Sequence, residues 1–447
     1  MLKKKKRLSY PMLIALGFFV LISIGTLLLL IPAASRDGEP VRFIEAAFTA
    51  VSASCVTGLV VFDTYTQWSL FGQLVILVLI QIGGLGFMTV LTLFSMFLKR
   101  KIGLTERSLM RESLNTMYVG GIVRLTRRIL LGTLIFEGAG ALILSLRFVP
   151  QFGFWKGVFC GIFHSVSAFC NAGFDILGRL EPYGSLTSYV GDPIVILTIS
   201  ALIIIGGIGF FVWDDIYEHR LNFGKYSLHT KLVLVSTLVL ITLPTVLFLI
   251  FENNNLFAGM SADDKLLGAF FSAVTPRTAG FNSVDTTALS TASRLLTDAL
   301  MFVGGSPGST AGGVKTTTIV IIILSLVSSL RGREDEEAFG RRLEDGAHKR
   351  AMAVVTVNGG FIILASIIIC AAQPALDLGD VLFETFSAIG TVGMSTGITR
   401  ELGDLGLAVT AFLMYAGRVG SLSFALMFTE LREVAPLRRP VERVNIG

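Results

Sequence analysis

Four short segments of this chain carry residue types that can hold a dehydrated ion: Val56-Thr57-Gly58, Asn171-Ala172-Gly173, Thr278-Ala279-Gly280 and Thr391-Val392-Gly393. Their residues are mostly small or hydroxyl-bearing, and each segment ends on a glycine followed by Leu, Phe or Met. Glycine permits the positive-φ backbone that turns successive carbonyls to one side. Carbonyl oxygens grouped around an axis can replace the hydration shell of a monovalent cation. No acidic residue stands at any of the four glycines, so selectivity would come from carbonyls and not from a carboxylate ring.

A second constellation consists of a run of small residues and two charges. Gly304-Gly305-Ser306-Pro307-Gly308-Ser309-Thr310-Ala311-Gly312-Gly313 interrupts an apolar stretch, and Lys315 follows it. Proline and this many glycines cannot continue a helix comfortably. Arg418 stands inside another apolar stretch. An intramembrane charge is expensive and marks a functional site by default. The letters from Gly308 to Thr316 resemble a P-loop, but Val314 separates glycine from lysine and no strand precedes them. A nucleotide site needs strand, loop and helix in that order. No HExxH occurs, and no GxSxG has triad partners, so an enzyme is not expected.

The elements that position these residues must lie in a membrane. The chain is 53% hydrophobic and only 15% charged, against about 25% charged in soluble domains; its mean hydropathy is +0.73. Eight spanning helices are expected, at 10–32, 68–98, 127–147, 192–215, 230–251, 292–330 (interrupted), 351–372 and 405–429. The basic start followed by an apolar stretch could be a secretory signal, but the stretch exceeds the 7–15 residues of a signal core. It reads as an uncleaved first span. With these spans, 26 of the 37 lysines and arginines face one side and nine the other; Lys315 and Arg418 lie within spans. The positive-inside rule then places both termini in the cytoplasm. This distribution accounts for the net charge of +5 without any nucleic-acid partner.

Between each odd and even span sits a half-length apolar stretch that ends on one of the four glycines. The glycines are spaced by 115, 107 and 113 residues. Ser52-Ala53, Ser167-Ala168 and Ser387-Ala388 fall in register with them. A further mark follows in each even span: Gly83–Gly86, Gly206–Gly209, Gly304–Gly308 and Gly417–Gly420, at lags of 26, 34, 25 and 25 residues. Periodicity on this scale is the sign of a repeat architecture. The expected fold is an all-α membrane protein of eight transmembrane helices and four re-entrant pore loops. These form four pseudo-symmetric helix–pore loop–helix repeats around one pore. The boundaries read as an N-tail 1–9, repeat 1 at 10–98, a linker 99–126, repeat 2 at 127–215 and a linker 216–229. Repeat 3 follows at 230–330, then a linker 331–350, repeat 4 at 351–430 and a C-tail 431–447. Half-helices that stop inside the membrane are tolerated only where buried or lining a watery cavity. Their partly negative C-terminal ends would favour a cation there.

With one glycine in each of four degenerate loops, CVTGL, CNAGF, RTAGF and TVGMS, the chain resembles the Trk/Ktr/HKT superfamily of potassium transporters. The likeness covers about residues 10–430 and is closest to the KtrB-type ion-translocating subunits of bacteria. The chain opens on the first repeat helix, whereas TrkH-like members carry a further helix pair before it. The resemblance implies potassium uptake through the bacterial cell membrane, with sodium as the competing ion and no covalent cofactor. It implies that Gly304–Gly313 is a gating loop beneath the filter, with Arg418 a barrier to cations and Lys315 at the loop's cytoplasmic edge. It also implies a homodimer with one pore per chain, regulated by a separate cytoplasmic, KtrA-like ring of nucleotide-binding subunits. An alternating-access symporter would show paired broken helices, and the sequence shows only one span clearly interrupted.

The remaining polar residues have plainer readings. Glu137 would bond a neighbouring helix, and Gln73 and Gln81 would be interhelical glue. His164 would be a packed pore-helix histidine. Cys55, Cys160, Cys170 and Cys370 lie in apolar segments without metal or disulfide spacing. The mixed-sign run 331–350 is either a solvated loop or a docking surface for a regulatory partner.

Overall fold

The computed structural model describes residues 10–86, 122–220, 222–333, 335–420 and Glu442. The N-tail, most of the first linker, the ends of the second and eighth expected spans and nearly all of the C-tail lie outside the described residues.

Each repeat opens with an unbroken helix: α1 (Tyr10–Leu29), α4 (Ile122–Phe152), α8 (Leu228–Glu252) and α12 (Ala347–Ala372). These four are long and apolar enough to cross a membrane. Each is followed by a shorter helix: α2 (Phe43–Ser54), α5 (Phe154–Phe169), α9 (Ala262–Val274) and α13 (Leu378–Gly390). Their starts are written locally. Ser261 and Asp377 cap α9 and α13 through their side chains, and Glu45 closes a capping box on α2. Capping satisfies amide donors that a helix start leaves unpaired.

The second helix of each repeat behaves differently from the first. In repeat 1, α3 (Leu70–Leu85) ends at Gly86, and in repeat 4, α14 (Asp404–Val419) ends at Gly420. In repeat 2, α6 (Pro193–Gly207) gives way to α7 (Phe210–His219) across a 92° bend. In repeat 3, α10 (Thr291–Phe302) and α11 (Thr316–Leu330) are separated by the glycine-rich loop. Gly86, Gly209, Gly308 and Gly420 all have positive φ, at 82°, 96°, 67° and 95°. A side chain is disfavoured there and a helix cannot continue. The expectation of a single interrupted span is therefore corrected. Within the described residues the helix ends at the glycine mark in every repeat, whereas the sequence leads one to expect continuous spans in repeats 1, 2 and 4.

The repeats close on one another. The second helix of each packs against the short helix of the next: α3 on α5, α6 on α9, α10 on α13, and α14 back on α2. The interior this encloses holds fully buried Phe48, Phe163, Phe169, Phe174, Phe271, Phe281 and Phe383. Outer faces of α1, α4, α8 and α12 expose Leu27, Leu134, Leu146, Leu238 and Ile367. Apolar residues on the outside are what a helix facing lipid presents. In the 331–350 linker, a small hairpin pairs β1 (Glu337–Ala338) with β2 (Arg341–Arg342). Ion pairs Arg342–Asp335 and Arg350–Glu344 surround it, and His348 lies against Glu336.

Candidate cation site

The ends of the short helices build the site. In repeat 1, Thr57 N bonds Ser52 O at 2.8 Å and Val56 N bonds Ala53 O at 3.2 Å. Ala172 and Asn171 repeat this pattern on Ser167 and Ala168, and Val392 and Thr391 repeat it on Ser387 and Ala388. This pairing closes a helix through one left-handed residue, which is usually glycine. Here that residue is Val56 (φ 51°), Asn171 (57°) or Thr391 (51°). A β-branched residue in that region is strained, and such strain persists only where the surroundings over-determine it. Repeat 3 inserts Pro276 and Arg277 and reaches the same state at Thr278, φ 68°. Two residues on, Gly58, Gly173, Gly280 and Gly393 are again left-handed, at 95°, 69°, 77° and 93°. Left-handed residues at alternate positions bring successive carbonyls to one side of the chain.

The four glycines form a closed ring. A Cβ on Gly58 would collide with the carbonyl oxygen of Ala172, one on Gly173 with Ala279, one on Gly280 with Val392 and one on Gly393 with Thr57. Every glycine thus faces the carbonyl of the next loop, and the fourth returns to the first. Glycine is required twice over, by φ and by the close approach. Hydroxyls from the short helices hold the loops. Ser52 Oγ accepts from Gly58 N (3.1 Å) and Ser387 Oγ from Gly393 N (3.0 Å), while Ser167 and Thr275 donate to Phe174 O (2.7 Å) and Phe281 O (2.6 Å).

A vestibule of ≈ 570 Å³ opens on one side of the ring, and all four glycines line it. Asp63, Asp175, Glu181, Asp285 and Arg400 line it as well. Asp175 is in the loop between α5 and α6. Burial, together with the charge of Asp63, pushes its carboxyl up to about 7. Asp63 accepts from Thr66 N and Tyr183 N and so ties the repeat 2 loop to repeat 1. The sequence reading did not reach these carboxylates, although Phe174-Asp175 directly follows the second glycine.

On the opposite side of the ring lies the loop from Gly304 to Gly313. It is pinned to repeat 2, where Ser306 N bonds Gly207 O (2.9 Å), Thr310 N bonds Gly206 O (3.3 Å) and Phe210 N bonds Gly308 O (2.7 Å). It closes on itself through Gly304 N to Val314 O (2.8 Å) and through Ser309 Oγ to Ser306 O (2.6 Å). A Cβ on Gly312 would strike the Thr391 side chain, and one on Gly313 would press on Gly390 O. Thr310 touches the ring itself: its hydroxyl lies 3.0 Å from Asn171 Oδ1 and 3.1 Å from Phe169 O. Asn171 Nδ2 in turn reaches Arg277 O and Thr278 Oγ1 at 3.2 and 3.3 Å. Arg418 donates to Thr310 O and to Gly83 O and Gly84 O at the end of α3. These bonds link the glycine marks of repeats 1 and 2 to the repeat 3 loop and to Arg418 of repeat 4.

The structure brings all the expected residues together, as an upper group at the ring and a lower group at the loop. Pro307, Gly308 and Ser309 are partly exposed, and the others in the loop from Gly304 to Gly312 are buried. Lys315 folds back onto its own loop, with Nζ donating to Ala311 O (2.7 Å) and Gly312 O (3.2 Å), and does not reach away from it. Gln81 bonds Glu137 across helices at 3.2 Å. Gln73 is a correction: it donates to Trp68 O just before its own helix. Its place in the first turn satisfies the chain locally. His164 is fully buried among Phe148, Phe163 and Phe281, with Nδ1 at 2.8 Å from Cys160 O. Among the described residues no group of His, Cys, Asp and Glu could hold a metal.

Comparison with known proteins covers nearly the whole chain. A family model described as TrkH, cation transport protein, matches residues 7–435. The Ktr system potassium uptake protein B of Bacillus subtilis is 43% identical over 443 residues, covering 99% of this chain and 97% of that one. The potassium/sodium uptake protein NtpJ of Enterococcus hirae is 41% identical, covering 99% and 98%. The crystal structure of the potassium transporter TrkH from Vibrio parahaemolyticus superposes with a TM-score of 0.75 at 18% identity. That superposition covers 96% of this chain and 86% of the other. Matched from end to end by the family model and by relatives well above 30% identity, the chain belongs to the TrkH family of cation transport proteins.

Proposed function

We propose that this chain takes up potassium across the plasma membrane as the gated, channel-like, ion-translocating subunit of a Ktr-type system. The observation that carries the reading is the closed ring in which each of Gly58, Gly173, Gly280 and Gly393 faces the carbonyl of the next loop. Val56 to Gly58, Asn171 to Gly173, Thr278 to Gly280 and Thr391 to Gly393 act as the filter. No covalent chemistry is involved; the ion exchanges water for backbone oxygens. The loop from Gly304 to Gly313, with Lys315 and Arg418, acts as the gate. Its position between ring and Arg418 supports that role, because a cation leaving the filter would meet both. The finer architecture belongs to the same proposal: eight spans, four re-entrant loops and both termini in the cytoplasm. So do the homodimer and a KtrA-like regulatory ring; that there is a partner component at all is supported by a relative named as one protein of a Ktr system.

A second reading, a pathway that also passes sodium, is favoured by the relative named for both ions. The test is flux into liposomes with potassium and sodium in competition. Gly58→Ser and Gly280→Ser should each lower potassium preference by about tenfold or more, roughly 1.4 kcal/mol of discrimination. Unchanged preference in both would remove the filter assignment. Deleting part of Gly304–Gly313 should raise flux; equal or lower flux at normal protein level would remove the gate.

A further inference from the structure

We infer that Glu384 is a positioning residue for the fourth filter loop, fixing the backbone beyond Gly393 and thereby setting the discrimination between potassium and sodium. The inference rests on the filter reading above. Glu384 lies on α13 and is fully buried. Its Oε2 accepts from Ser395 Oγ at 2.8 Å and its Oε1 from Thr399 Oγ1 at 2.5 Å. The two hydroxyls lie 3.1 Å apart, and Ser395 Oγ also accepts from Gly397 N at 2.9 Å. One carboxylate thus grips the chain two and six residues past the filter glycine. Ser395 O accepts in turn from Thr286 Oγ1 at 2.7 Å, which links the loop after Gly280 to the loop after Gly393.

The other short helices hold their loops by single hydroxyls, such as Ser167 on Phe174 O, and not by a carboxylate. Three residues before the Ser-Ala pair of each helix stand Thr49, His164, Ala269 and Glu384. Thr49 Oγ1 donates to Glu45 O and His164 Nδ1 pairs with Cys160 O, so these bonds stay within their own helices and do not hold a loop. Ala269 has no polar group. Burying a carboxylate is costly unless hydrogen bonds satisfy it, and here the satisfying hydroxyls come from the loop itself. Sodium is smaller than potassium, and a carbonyl cage that can shrink serves it better. Bracing one wall of the cage opposes that shrinkage.

The experiment is potassium flux in liposomes with sodium in competition, normalised to protein amount. Glu384→Ala should cut potassium preference by about tenfold, the scale of one lost hydrogen bond to a charged group. Glu384→Gln should stay close to the unaltered protein, because the amide offers an acceptor and a donor and the hydroxyls can reverse. Ser395→Ala and Thr399→Val should fall between them. A side chain that only supports folding would lower the amount of protein and leave the ion preference alone. Unaltered preference in Glu384→Ala, or an equal fall in Glu384→Gln, overturns the inference. If Glu384→Ala does not assemble, unaltered preference in both Ser395→Ala and Thr399→Val overturns it. Gly58→Ser is measured alongside. If it shifts preference and the Glu384 set does not, Glu384 alone is excluded; if neither shifts, the filter reading fails as well.

Discussion

Each loop of the proposed filter depends on two left-handed residues two positions apart, and only the second is glycine. Val56 and Thr391 take that conformation at a cost, held by helix-end hydrogen bonds and by complete burial. Nearby, Asp175 should make the vestibule sensitive to pH. With its carboxyl pushed up to about 7 by burial and by Asp63, this one group is neutral below that pH and negative above it. Potassium is drawn to the negative form. One charge roughly 8 Å from a cation in water is worth about 0.5 kcal/mol, so apparent affinity should weaken about twofold as external pH falls from 8 to 6. Asp63, Glu181, Asp285 and Arg400 share the vestibule and set the background. Asp175→Asn should flatten this dependence near pH 7 in a flux titration, and a dependence that persists would assign it elsewhere.

At the level of elements, the loop between α10 and α11 joins filter to constriction through Thr310. Its hydroxyl reaches Asn171 in the proposed filter of repeat 2 and Phe169 O at the end of α5, and its carbonyl takes the Arg418 guanidinium. Thr310→Val removes the first pair of bonds and leaves buried acceptors unpaired, a cost of about 1–3 kcal/mol to the closed arrangement. Basal potassium flux without any partner should rise by about tenfold. Arg418→Gln should raise it too, because the tie from the loop to Gly83 and Gly84 is lost along with the charge. Flux that stays low in both variants would mean that neither contact holds the path shut.

For the whole molecule, the ring of helices α3 on α5, α6 on α9, α10 on α13 and α14 on α2 makes one axis from four unequal repeats. A path on that axis would be driven by voltage. An inside-negative potential of 100 mV supplies about 2.3 kcal/mol per charge, or about 50-fold accumulation. Liposomes carrying this protein should approach that ratio with a set potential and lose it when the potential is collapsed. Accumulation that survives collapse would point to coupled transport. Two repeats have second helices broken within the described residues and the other two end at the same glycine, so the count of broken helices does not decide between a pore and a symporter. The closed filter ring is the feature that favours the pore.

How much of this was legible in the letters follows from the range of each interaction. Membrane class, the four glycines, their spacing and the second mark at Gly83, Gly206, Gly304 and Gly417 depend on composition and on local backbone freedom. Hydropathy and the rarity of positive φ outside glycine are properties of single residues and short windows, so the sequence carries them. The sequence could not show that the second mark ends a helix in every repeat, because a glycine inside an apolar stretch does not reveal its φ until the chain around it is packed. Nor could it separate Gln73, bonded beside its own helix, from Gln81, bonded to Glu137 across helices. The closure of the ring, the Arg418 bridge between Thr310 and the end of α3, and the grip of Glu384 on Ser395 and Thr399 all needed the tertiary structure. Each joins groups by hydrogen bonds or contacts a few ångströms long, and whether distant segments approach that closely is decided by the packing of the whole chain.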